Sequence, residues 1–191
     1  MKLITENYEP MKFKSIFLLI LCFYSIKGYS QNYIPVERAS TVKFFISNFG
    51  LSTEGSFNGL RGDIYFNPHK LENSSFEISI EANTIFTKNR SRDTHLKSKD
   101  YFYVDKYPAI YLISKSITRT GLEGRYWFSG NLIIKGVTKE VKFEFSAVQE
   151  RAGYLFKGEF TINRRDFLIG SGSLVLSNNV QVVLNVTTTN K

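Results

Sequence analysis

Arg92, Asp93, His95 and Asp100 crowd into one short run, in Lys88–Pro108 (KNRSRDTHLKSKDYFYVDKYP). A histidine among carboxylates and a guanidinium is the material of general acid–base catalysis. That chemistry needs an imidazole within hydrogen-bond reach of an orienting partner and of a substrate. The cluster is local in sequence, however, and no separate nucleophile can be identified. The same groups serve better to tie the insert to the rim of the fold. Tyr101 and Phe102 follow, and Tyr107 precedes Pro108. These rings could gate a cavity or form a small satellite cluster. No metal is expected: His69 and His95 are the only imidazoles, their spacing is not a ligand spacing, and the carboxylates are dispersed. Gly170-Ser171-Gly172 lacks the helix and lysine of a phosphate loop.

The elements that position this run are strands. From Thr41 onward apolar and polar residues mostly alternate, as in half-buried β-structure. Thr41–Ser47 aligns Val42, Phe44 and Ile46. Leu51–Phe57 is a further strand, and Asn58-Gly59 predicts a hairpin turn. Arg61–Asn67, Ser74–Ile85, Ala109–Ser116, Arg125–Ile134, Lys139–Val148, Tyr154–Ile162 and Val180–Thr188 continue the pattern, while Gln31–Ser40 looks like a short arm. Helical turns are expected only near residues 88–100, within Arg90–Lys99, capped by Ser91 or Asp93 and ended before Pro108. The fold class is therefore all-β, as a sandwich or a closed barrel. Closure removes exposed strand edges, and an antiparallel barrel of about eight strands can hold one small ligand.

The inward positions are rich in phenylalanine: Phe44, Phe66, Phe76, Phe128, Phe143, Phe145, Phe156 and Phe160, joined by Ile78, Ile80, Ile110 and Leu112. A filled core is the ordinary reading of such a face, which would leave the chain an interaction module working through its outer surface. A hollow is the other, with Ala82, Gly130, Ala147 and Gly158 leaving room.

Three separated motifs bear on that choice. The first is Arg92-Asp93-x-His95-Leu96, with Ser98-x-Asp100-Tyr101-Phe102 and Lys106-Tyr107-Pro108. The second runs from Gly130 to Lys139 (GNLIIKGVTK), and the third is Ile162-Asn163-Arg164-x-Asp166-Phe167. Together they resemble the YceI-like family over roughly Ala39 to the C-terminus. Tyr103 and Leu168 depart from the pattern, standing where Asp and Gly are usual. The resemblance implies a secreted or periplasmic lipocalin-like barrel whose inward face encloses a tunnel for a polyisoprenoid or related lipid. It implies a carrier without catalytic activity and without a cofactor. The inward residues above become ligand-binding candidates. Arg92, Asp93, His95, Tyr101, Phe102 and Tyr107 become candidates for the tunnel mouth or the insert. Each methylene moved out of water contributes about 0.8 kcal/mol, so ten give roughly 8 kcal/mol before association costs. The partner the resemblance implies is a long isoprenoid, such as a quinone or polyprenyl chain, or a fatty-acid-like amphiphile. The open alternative is an enzyme acting on a lipid through His95.

The first 30 residues read as a secretory leader. Lys12 and Lys14 precede the apolar run Ile16–Tyr24, and Gly28-Tyr29-Ser30 offers a cleavage site after Ser30; Met11 is a second candidate start. Cys22, the only cysteine, follows Leu21 rather than a small residue, which disfavours lipid attachment. Cleavage leaves a single domain, residues 31–191, with 21 cations, 15 acids and a formal charge of +6. That charge suits loose contact with an anionic membrane surface. The scattered cations exclude a nucleic-acid stripe. A monomer or homodimer fits this chain.

Overall fold

The computed structural model describes residues 31–191; the expected leader lies outside them. Ten strands form one antiparallel sheet: β1 (Gln31–Pro35), β2 (Thr41–Asn48), β3 (Leu51–Phe57), β4 (Arg61–Phe66), β5 (Ser75–Glu81), β6 (Ala109–Arg119), β7 (Arg125–Ile134), β8 (Val137–Glu150), β9 (Gly153–Asn163) and β10 (Leu176–Asn190). One helix, α1 (Arg90–Lys97), lies in the insert between β5 and β6.

Eight of these strands close a barrel in the order β1-β4-β5-β6-β7-β8-β9-β10, with β10 returning to β1. The first half of the segment expected as a short arm is thus the closing strand: Tyr33 sits opposite Asn190 of β10 and Ile64 of β4. Its shortness and Pro35 hide it from a reading by alternation. A 3-10 turn at Glu37–Ala39 then moves the chain along the same edge of β10, where β2 pairs from Thr41↔Asn185 to Asn48↔Leu176. One edge of β10 is therefore shared by two strands, and β2 carries β3 outward beside the closing seam.

This arrangement corrects the reading of Asn58-Gly59. It is no hairpin turn, because β3 pairs with β2 while β4 pairs with β1 and β5. It is a corner, with Gly59 at φ +73°. The Asn58 carbonyl accepts from the Glu81 N–H, and its own N–H donates to Thr84 Oγ1. The Asn-Gly pair supplies the positive φ, but which strands pair across it is a tertiary matter.

The inward face divides into two halves. In one, aromatic rings close the space. Phe66 meets Tyr154 at 5.1 Å, Tyr126 and Phe156 at 5.2 Å, Phe76 at 6.1 Å and Phe145 at 6.3 Å between centroids. All five pairs are edge-to-face, an arrangement the ring quadrupole favours. Phe128 and Phe143 stack at 4.8 Å, and Phe143 and Phe160 at 4.5 Å. Small residues serve this packing. A side chain at Gly158 would stand 2.9 Å from the Phe143 ring, and one at Gly130 would strike the Ile113 carbonyl and the Phe128 ring. These glycines, expected to leave room for a ligand, are filled by rings. The other half is hollow.

Candidate functional site

The hollow occupies about 400 Å³, within the roughly 300–1,000 Å³ typical of small-molecule sites. Alternation along several strands builds it. β2 contributes Val42, Phe44 and Ile46, and β10 contributes Val180, Val182 and Leu184. Ile78 and Ile80 come from β5, Ile110 and Leu112 from β6, Leu132 and Ile134 from β7, and Phe160 and Ile162 from β9. In each strand these positions are two apart, as the pleat requires. The wall is predominantly aliphatic. A void of only about 30 Å³ continues toward the aromatic half, sharing Ile78, Leu112 and Leu184 with the main cavity.

The insert covers the cavity. Leu96, Tyr101 and Phe102 line it, and the Phe102 ring packs edge-on against Phe57 of β3 at 5.5 Å. Helix α1 is capped by Asn89, whose side chain accepts from the Arg92 N–H at 3.0 Å, rather than by the expected Ser91 or Asp93. Asp93 is drawn elsewhere. It is buried, and Oδ1 accepts from the Thr87 N–H at 2.8 Å and from Thr87 Oγ1 at 2.5 Å. Arg92 completes the brace: Nε donates to Thr87 Oγ1 and Nη2 to the Thr87 carbonyl, each at 2.7 Å. One threonine thus ties the start of the helix to the segment before it, next to Phe86, which bridges to Ser56 of β3. His95 reaches the cavity with its ring edge-on to Tyr101 at 4.7 Å. Among the described residues no carboxylate bonds its ring, and the ring contact it does make is with Tyr101.

The inward candidates therefore part company. Phe44, Ile78, Ile80, Ile110, Leu112 and Phe160 line the cavity, together with Arg92, His95, Tyr101 and Phe102. Phe66, Phe76, Phe128, Phe143, Phe145 and Phe156 lie in the packed half, where rings occupy one another's space. Asp93 braces from behind, and Tyr107 packs with Tyr103 at 5.9 Å and beside Gly136 of the β7–β8 turn.

Arg164 is the residue that reading by alternation passes over. It follows β9 in a 3-10 turn, Arg164–Phe167, that Asn163 caps by accepting from the Arg165 N–H at 2.9 Å. It is only 3% exposed and lines the cavity. Nε donates to the Ser177 carbonyl at 2.9 Å, and Nη1 donates to the carbonyls of Ile169 at 2.8 Å and Ser171 at 3.0 Å. Nη2 is buried with no partner. Burial lowers its pKa from the usual arginine value, with the Arg165 charge adding in the same direction. A signal existed: Phe160, Ile162 and Arg164 keep the inward period of two past the strand end. Among the described residues no group of three or more His, Cys, Asp or Glu side chains could hold a metal.

Comparison with known proteins places this geometry. Residues 33–188 match the family model described as the YceI-like domain. A UPF0312 protein of Shewanella denitrificans is 32% identical over 156 residues, 77% of this chain and 80% of its own. A UPF0312 protein of Pseudomonas fluorescens is 33% identical over 139 residues, covering 66% and 69% of the two chains. In fold the chain is similar to Burkholderia cenocepacia BcnA, with a TM-score of 0.76 at 24% identity over 80% of this chain and 98% of that one. It is likewise similar to a polyisoprenoid binding domain from Saccharophagus degradans implicated in plant cell wall breakdown. There the TM-score is 0.70 at 15% identity, over 83% of this chain and 98% of that one.

Proposed function

Since this chain belongs to the YceI-like family, we propose that it binds the apolar chain of a lipid inside its barrel and holds or carries it without chemical change. The observation that carries the reading is the aliphatic cavity of about 400 Å³ beneath the insert. A purely structural core would close such a space, since interiors pack to crystal-like density. Burial of apolar surface drives the binding, so the walls read the length and width of a chain. The likeness to the polyisoprenoid binding domain of Saccharophagus degradans supports a ligand of that class here, an isoprenoid quinone, a polyprenyl chain or a fatty-acid-like amphiphile. Met1–Ser30 as a cleaved leader would deliver the protein to the periplasm or beyond, where transport or sequestration of a lipid has use.

The test is native mass spectrometry of the mature protein from its own host, with extraction and identification of any bound lipid. A mass above the bare chain that disappears on extraction is the expected result. A bare mass, together with no uptake of an added isoprenoid quinone, would remove the proposal.

A further inference from the structure

Arg164 carries a cation into an apolar cavity without bringing a counter-ion. Its Nε and Nη1 are spent on neutral carbonyl oxygens of Ser177, Ile169 and Ser171. Each of the five ion pairs among the described residues joins other residues. Nη2 has no protein partner and less than 1 Å² of surface open to water. A buried donor left unsatisfied forfeits its solvation, and a charged one forfeits more. Such a group is retained where something outside the chain satisfies it.

From this geometry we infer that Arg164 is the head-group anchor of the site, and that the ligand it selects is an amphiphile ending in an anionic oxygen group, a carboxylate or a phosphate monoester. The inference rests on the lipid-binding reading and gives it a polar end. Three features fit it. The guanidinium is locked by three hydrogen bonds, so little freedom is lost when a fourth forms. The tail and the head would lie against different walls, since the aliphatic residues of β5, β6 and β10 line the same cavity as Arg164. Tyr101 of the insert packs beside it: a side chain at Gly170 would stand 2.9 Å from the Tyr101 ring and 3.0 Å from Arg164 Nη1. Nη2 is closed to water, so contact needs a small shift of the side chains over it. A neutral head can accept one hydrogen bond but leaves the charge uncompensated, and charge-assisted bonds are about twice as strong as neutral ones.

The experiment holds the tail constant and varies the head. Delipidated protein is loaded with Nile red, a neutral dye, and displaced by tetradecanoic acid, tetradecyl phosphate, tetradecanol and tetradecane near neutral pH. The expected result is that an anionic head binds roughly ten- to a hundredfold more tightly than the alcohol. The stronger of the two anions names the head. On Arg164→Met that advantage collapses while the alcohol still binds; on Arg164→Lys part of it returns. If the Arg164→Met protein does not fold, the wild-type series decides by itself, supported by the Arg164 guanidinium ¹⁵N resonances, which move with the anion and not with the alcohol. Anion and alcohol binding within threefold of each other would overturn the anchor and leave lipid binding standing. Displacement by none of the four would overturn both.

Discussion

Affinity should climb with ligand chain length and then stop. An apolar cavity of about 150 Å³ accommodates one benzene, six carbons. At the same ratio the 400 Å³ hollow holds about sixteen. Each methylene drawn out of water contributes about 0.8 kcal/mol, close to fourfold in Kd. Ordering each added bond takes part of that back, so a two- to fourfold gain per carbon is expected. The assay is dye displacement by saturated fatty acids of ten to twenty-two carbons, kept below their aggregation limits. Log Kd should fall steeply to about sixteen carbons and flatten beyond. The flattening has a cause in the packed half, where Phe143 is clamped between Phe128 and Phe160 at 4.8 and 4.5 Å. Phe143→Ala should therefore destabilise the protein by about 3–5 kcal/mol and move the plateau to longer chains. A steady rise through twenty-two carbons in the wild type would show that the rings part readily and that a fixed cavity is the wrong physical picture. A flat series from ten carbons on would place the ligand outside the barrel.

Three smaller perturbations probe the scaffold. Arg92→Ala removes two hydrogen bonds to Thr87 and should cost about 1–3 kcal/mol, lowering Tm while changing the ratio of ligand affinities little; an unchanged Tm with lost binding would make Arg92 a ligand contact instead of a brace. Leu168, at φ +57° and 64% exposed, holds a left-handed conformation that costs a branched residue about 1–2 kcal/mol. Leu168→Gly should gain up to about 1 kcal/mol, a rise in Tm of roughly 2–4 °C by thermal melting; a lower Tm would mean that the leucine side chain packs usefully. Tyr33 and Tyr154 have pKa values raised above the ordinary 10.0, first by burial and then by neighbouring tyrosines. The folded state thus keeps protons that the unfolded state releases above that value. Stability should fall as pH rises from there, with the buried tyrosines ionising late in an ultraviolet titration. Tyrosine ionisation at the ordinary value without unfolding would refute it.

Much of this molecule is legible in its residues. Alternation marks β2 and β4 to β10, because one buried face per strand leaves a period of two that needs no knowledge of neighbours. The polar interruption marks the insert, and its one helix falls where it was expected. The closing strand escaped, since Gln31–Pro35 is too short and too polar to show a period, and its pairing with both β10 and β4 exists only once the barrel closes.

The candidate site divides along the same line. That the inward face is apolar is written in the chain; a place for Arg92 or His95 at the mouth is implied only by the resemblance of the insert to the family. Which aromatics would fill space and which would border it is not written there. Phe66 and Phe44 carry the same side chain on the same inward register, yet the first is ringed by five aromatics and the second lines the cavity. The difference comes from how many facing strands send rings to one level of the barrel. Arg164 makes the point for charge. Its type and register are in the sequence, but its burial and its one idle nitrogen arise only when Ser177, Ile169 and Ser171 converge on it. Local periodicity decides which way a side chain points; what it meets there is decided by residues far away in the chain, because packing is a property of the closed volume and not of any single strand.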